Sequence, residues 1–234
     1  MKLLSLETST KHFSLALSDD KKIAASRNFV LKKVLSSSII PAIAGILKKK
    51  KWTLSDLDGF AVGLGPGSFT SLRVGLATVK ALALATGKPL VGVSSLDVLA
   101  RNVLSMQEIP PSVCTMCDAR RNLVYACFYE PAPEGLRRRG DYLLIGLDEL
   151  LQKIRRPTLL IGDGIPLYRE RIAGLNERGP SVVLADEKYW YPQAKHLAVL
   201  ARERFQNHEF DPPERIVPLY LHPQDCQVQP GPAH

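Results

Sequence analysis

The first thirty residues hold three short strand-like stretches, and the connections between them are too short for anything but tight turns. Residues 3–6 are apolar and run into Thr8-Ser9-Thr10. Residues 13–17 alternate in part and end at Asp19-Asp20-Lys21-Lys22, and residues 23–29 follow. Parallel neighbours need a crossover of a dozen or more residues, so these three strands are antiparallel and the first helix must come after them. From residue 33 to 50 the period becomes helical, with Val34, Leu35, Ile39, Ala42, Ile43 and Ile46 at three- and four-residue steps around Pro41. Thr53-Leu54-Ser55-Asp56 reads as a capping box. Strand 59–64, a helix over 70–85 closed by Gly87, strand 88–93 and a helix capped by Ser94-Ser95-Leu96-Asp97 continue the alternation. The pattern is that of an α/β chain.

Pro110-Pro111 breaks this pattern and sets a first lobe, residues 1–106, apart from a second, residues 107–222. Strands are expected at 113–117, 123–129 and 158–161, the last ending in Gly162-Asp163-Gly164. The stretch 130–140, rich in Pro, Gly and Arg, is expected to be a mobile loop. A late helix over 193–205 is free to pack back on the first lobe, and residues 223–234 are expected to form a disordered tail. No internal repeat is visible at a fixed period.

The balance of 45% hydrophobic and 23% charged residues is that of a globular chain. No stretch reads as the roughly 18 uninterrupted apolar residues of a membrane span, and the start is too soon acidic, at Glu7, for a signal peptide. A cytoplasmic protein without membrane contact is the expectation. The net charge of +8 permits nucleic-acid contact, but the basic runs lack interleaved aromatic residues for base stacking. Cys114 and Cys117 fall on opposite faces of one strand, roughly 10 Å apart, beyond disulfide reach and without a second ligand pair for zinc.

Between a strand and a helix lies Gly63-Leu64-Gly65-Pro66-Gly67-Ser68-Phe69-Thr70. Glycines allow tight turns and close ligand approach, and a helix N-terminus suits an anion. With the turn at Thr8 and Ser9, the residues Gly65, Gly67 and Ser68 make a candidate nucleotide loop, although the run is neither G-x-G-x-x-G nor a P-loop with its lysine. Positive φ is expected at Gly65 and Gly67. Ser68 lacks a nucleophile elbow, and none of the five histidines stands at ligand spacing to another. Glu7 and Asp118 are the acids expected at strand ends facing a shared cleft. No catalytic or metal-binding set can be assembled.

The opening Leu3-Leu4-Ser5-Leu6-Glu7-Thr8-Ser9-Thr10, the loop 61–70 and the continuation Leu72-Arg73-Val74-Gly75-Leu76-Ala77-Thr78-Val79-Lys80 closely resemble the TsaB (YeaZ) family. Val91-Gly92-Val93-Ser94-Ser95-Leu96, Asp118-Ala119-Arg120-Arg121, Ile161-Gly162-Asp163-Gly164 and Pro218-Leu219-Tyr220-Leu221 are similar too. Two places depart from the family pattern: Ser71 stands where glycine is usual, and Leu35 where the first helix often begins with histidine. The resemblance implies an actin-like, ribonuclease-H-like (ASKHA) fold of two α/β lobes. It implies a non-catalytic scaffold that binds TsaD, the catalytic homologue, together with the ATPase TsaE, for threonylcarbamoyl modification of adenosine 37 in tRNA. It further implies a homodimer when the chain is alone, tRNA contact only through the complex, and no cofactor of its own beyond a nucleotide at the partner interface. Two apolar stripes are expected to form that interface: Leu35, Ile39, Ala42, Ile43 and Ile46 on the first helix, and Leu72, Leu76, Val79 and Ala83 on the second. The alternatives are a self-sufficient nucleotide-dependent enzyme or peptidase of the same fold, and a stand-alone tRNA-binding module.

Overall fold

β1 (Lys2–Glu7) is paired along both edges, antiparallel to β2 (His12–Asp19) and parallel to β4 (Gly59–Gly63), so it forms the centre of the first sheet. β3 (Lys22–Val30) extends β2, and β5 (Leu90–Val93) lies parallel to β4, which gives the order β3-β2-β1-β4-β5. The computed structural model describes residues 1–31, 34–173 and 182–222, so the expected tail lies outside the described residues. α1 (Leu35–Lys50) carries through Pro41, and α2 (Phe69–Thr86) ends at Gly87 in the left-handed region, as its sequence predicts. The capping box at Thr53 and Asp56 forms, and the Ser94 side chain accepts the Leu96 N–H to cap α3 (Ser95–Ala100).

The second sheet repeats this plan without any repeat in the sequence. β6 (Ser112–Asp118), β7 (Leu123–Ala132) and β8 (Gly135–Gly146) are an antiparallel meander; β9 (Thr158–Ile161) is parallel to β6, and β10 (Val182–Leu184) to β9. The stretch expected as a mobile loop is instead the tip of the β7–β8 hairpin, where Glu130 pairs with Arg137 and Ala132 with Gly135. Cross-strand pairing of an arginine-rich strand outweighs the turn-like composition. α4 (Leu147–Lys153) and α5 (Ile165–Ala173) cover one face of this sheet through Leu147, Leu150, Ile165 and Ile172. Cys114 and Cys117 do face opposite sides, one in each of the two cores that flank the sheet.

α6 (Ala194–Gln206) returns to the first sheet and packs Leu197, Ala201 and Phe205 against Leu3, Ala61 and Val91, on the side away from α1 and α2. The segment after it straps the β5 edge: Asp211 N–H donates to the Leu90 carbonyl, Gly92 N–H to the Asp211 carboxylate, and Leu219 N–H to the Leu64 carbonyl. The lobes are further tied by Asp97 of α3, which accepts hydrogen bonds from Tyr129 Oη at 2.8 Å and Tyr142 Oη at 2.6 Å.

The two helical stripes expected to face a partner are core. Leu35, Ile39, Ile43 and Ile46 of α1 and Leu72, Leu76, Val79 and Ala83 of α2 are each no more than 6% exposed, and Ala42 is half-buried against the same core. A sheet covered by two helices draws their strongest apolar faces inward, which leaves weaker faces outside. Those outer faces carry Ile40, Pro41, Ala44 and Gly45 on α1, and Ala77, Ala81, Leu84 and Ala85 on α2. Against the expectation that no stretch is long and apolar enough for a membrane span, α2 is so by length and composition alone, yet its inner side is packed on the sheet and Arg73 and Lys80 interrupt it. Ile39→Ala should therefore cost about 2–5 kcal/mol in urea unfolding. Ile39→Glu should unfold the first lobe, seen as lost helical circular dichroism; a folded but monomeric Ile39→Glu protein would return the side chain to an interface.

Candidate functional site: a glycine loop closed by its own chain

β1, β4 and β5 are parallel and end on the same edge of the first sheet, where open α/β sheets place their ligands. Three chain segments meet there: the turn after β1, the loop between β4 and α2, and the start of α3. Glu7, the last residue of β1, is fully buried; its Oε1 accepts the Ser9 N–H at 2.8 Å, and its Oε2 accepts the Ser95 hydroxyl at 2.8 Å. Ser95 Oγ in turn accepts the Gly65 N–H at 3.0 Å, and the Ser95 N–H donates to the Gly65 carbonyl. Burial pushes the Glu7 carboxyl above its ordinary pKa, and its hydrogen bonds only partly oppose that shift.

All five candidate loop residues meet here, and several of their polar groups are engaged within the chain. Thr8 Oγ1 donates to the Ser71 carbonyl, and the Ser68 N–H donates to the Ser9 carbonyl at 2.8 Å. Gly65 has the expected positive φ, +88°, and is followed by a cis peptide bond to Pro66. Gly67 is needed for a different reason than expected: its φ is not positive, but a Cβ there would stand 2.2 Å from the Ser9 carbonyl oxygen. Of the donors that could cradle a phosphate, those of Ser9, Gly65 and Ser68 are engaged within the chain. Ser71 accepts the Ser68 hydroxyl on its Oγ at 3.0 Å.

Asp118 and Asp163 lie together on the second sheet. Asp118 accepts the Arg120 N–H in its own turn, and Asp163, half-buried after β9, accepts the Asp118 N–H at 3.2 Å. Burial raises the Asp163 pKa as well, with Asp118 adding to the effect and Lys11 opposing it. The flanking glycines of Gly162-Asp163-Gly164 carried the signal for this acid, which sequence reasoning noted only as a strand end. His12 turns away from the loop, its ring 3.7 Å from that of Tyr191, beside a cavity of about 260 Å³ that Asn28 and Gln193 also line. No group of three His, Cys, Asp or Glu side chains suited to a metal occurs among the described residues.

These contacts fix two expected outcomes. A carboxyl with a raised folded pKa binds its proton more tightly folded than unfolded. The stability it confers is therefore present at low pH and is lost as pH rises from the ordinary carboxylate range through the raised value. Glu7→Gln should abolish that slope and gain on the parent protein as pH increases; urea titrations between pH 4 and 8 measure it, and parallel curves would contradict the assignment. Gly67→Val should lower the melting temperature by several degrees because Ser9 must move, and Gly65→Val should do so through its positive φ.

The tRNA N6-adenosine threonylcarbamoyltransferase (TsaD) family model matches residues 30–225. The TsaB proteins of tRNA threonylcarbamoyladenosine biosynthesis are similar over nearly their whole length: that of Bacillus subtilis is 28% identical over 98% of this chain and 97% of its own, and that of Escherichia coli 25% identical over 94% of each. Among solved structures, YeaZ from Pseudomonas aeruginosa superposes with a TM-score of 0.77 at 27% identity, covering 94% of this chain and 99% of that one. The activator of 2-hydroxyisocaproyl-CoA dehydratase from Clostridium difficile, solved with bound ADPNP, shares the fold alone, with a TM-score of 0.52 at 10% identity over 89% of this chain and 97% of its own. The duplicated five-stranded sheets, the closed glycine loop and these likenesses agree: the chain has the actin-like ASKHA fold and belongs to the TsaD family, within its TsaB (YeaZ) branch.

Proposed function

We propose that this chain is a non-catalytic scaffold in the synthesis of threonylcarbamoyladenosine on tRNA, acting by docking onto a TsaD-type catalytic subunit served by a TsaE-type ATPase. The observation that carries the reading is the self-satisfied loop. The Ser9, Gly65 and Ser68 N–H groups, which would have to be free to cradle a phosphate, are held by Glu7, Ser95 and the Ser9 carbonyl. Opening them would strip hydrogen bonds from a fully buried carboxylate, which costs several kcal/mol. Any nucleotide therefore belongs at the partner interface rather than inside this chain's own loop. The setting is cytoplasmic, without membrane contact, and tRNA is modified in the assembled complex.

Docking uses the outer sides of α1 and α2 rather than the buried stripes. Ile40, 55% exposed, and Leu84, 59% exposed, stand among Pro41, Ala44, Gly45, Ala77, Ala81 and Ala85. Small side chains there allow helices of a partner to approach closely, and the two large ones supply apolar anchors. The homologous catalytic subunit occupies this face, and a second copy of the chain takes its place when that subunit is absent.

The purified chain should hydrolyse neither ATP nor peptides above background; turnover abolished by Glu7→Gln would establish the rival reading of a self-sufficient enzyme. Ala81→Glu with Leu84→Glu should abolish both homodimer and TsaD binding in light scattering, with a melting temperature close to that of the parent. Unchanged assembly would move the interface elsewhere.

A further inference from the structure

The net charge of +8 is not spread over the molecule. Residues 1–106 hold fifteen Lys and Arg against six Asp and Glu, while residues 107–222 hold sixteen of each. Within the first lobe, much of the excess gathers at the end opposite the cleft. α1 finishes there in Lys48, Lys49 and Lys50, and Lys51 follows as its cap. Lys2 at the start of β1 lies with its ammonium 4.7 Å from the centre of the Trp52 ring. The register then runs from Lys2 to Asp19 on β2 and from Asp19 to Lys22 on β3, which brings Lys21 and Lys22 within about 10 Å, two strand spacings.

Three of the four acids at this end are already engaged, and the fourth, Asp19, is half-buried on β2. Asp20 binds the N-terminal ammonium at 2.5 Å, Asp58 accepts the Lys2 N–H at 2.6 Å, and Asp56 accepts the Thr53 N–H at 2.7 Å. By contrast Lys21, Lys22, Lys48, Lys49, Lys50 and Lys51 are all exposed and, among the described residues, none has an ion-pair partner. A helix C-terminus welcomes one or two cations, which accounts for part of the run. It does not account for Lys51, whose φ of 57° and ψ of 34° put it in the left-handed region where helices usually place glycine. The chain keeps a fourth consecutive lysine at a position where its backbone is strained.

We propose that this lysine-rich end is a docking surface for the phosphate backbone of RNA. Flexible ammonium groups without partners bind phosphates as point charges, releasing counterions, and carry no base specificity. Trp52, which follows the lysine run, is half-buried and covered by Lys2, so it offers no open face for base stacking and contact is to the backbone. The choice of RNA among polyanions rests on the function proposed above; the surface itself rests on the charges. It lies on the first lobe away from the cleft, so it gives the scaffold a hold on tRNA additional to whatever the catalytic subunit provides.

The test is a fluorescence-anisotropy titration of an unmodified tRNA transcript with the full chain at a series of salt concentrations. The fourfold variant with Lys48→Gln, Lys49→Gln, Lys50→Gln and Lys51→Gln should bind at least about tenfold more weakly at low salt, and its log–log salt slope should be shallower by about three. The matching fourfold Lys→Arg variant should bind like the parent, which separates lost charge from lost structure. Equal affinity and slope in the parent and the Gln variant would overturn the proposal, as would tighter binding to phosphatidylserine vesicles than to the transcript. Co-elution with the TsaD-type subunit is scored in parallel. Intact docking with unchanged RNA binding in the Gln variant refutes this surface alone, and absent docking by the parent protein refutes the scaffold reading alone.

Discussion

A carboxylate without a cationic partner stands at the junction on which the first lobe depends. Glu7 gathers the Ser9 N–H and the Ser95 hydroxyl, and Ser95 passes the connection on to Gly65. Three segments far apart in sequence thereby acquire one geometry at the end of β1. Burying the carboxylate is unfavourable, which is why its pKa rises, but each of its hydrogen bonds also fills a backbone or hydroxyl donor that would otherwise lie buried and unpaired. The loop after β4 is tied to the turn after β1, because the Ser68 N–H is fastened to the Ser9 carbonyl.

Much of this was legible in the residues. The antiparallel opening, the helix over α2 with Gly87 as its cap, the two capping motifs and the opposed faces of Cys114 and Cys117 each follow from a local rule, and local rules act over the short windows that a sequence displays. The β7–β8 hairpin was misread because Pro, Gly and Arg signal irregular chain locally, while pairing with a neighbouring strand is decided at a distance. The candidate loop residues were found, but not their mutual satisfaction, since no periodicity reveals that Ser9 and Ser68 are hydrogen-bonded. The helical stripes were identified as apolar, and only the packed sheet could say which side of each helix lies inward.

The two sheets share one topology, an antiparallel meander of three strands followed by two parallel strands, although the sequence shows no repeat. Topology survives where sequence does not because it depends on patterning and connection lengths rather than on residue identity. The second copy differs in how its core is closed. Its first two strands carry Cys114, Cys117 and Cys127, all buried, and burial pushes the Cys127 thiol up to about 11, so these groups serve as small apolar fillers.

α6 and the strap after it belong spatially to the first sheet although they are nearly the last residues of the chain, so the second lobe is in effect an insertion within the first. During synthesis the first five strands leave the ribosome well before the helix that covers one side of them. Until residue 206 has emerged, Leu3, Ala61 and Val91 remain open to solvent on that side, whereas the second sheet and its helices α4 and α5 are already complete. The lobe made first is therefore finished last, and a nascent chain stalled before α6 would present a chaperone or protease with an uncovered sheet beside a finished one.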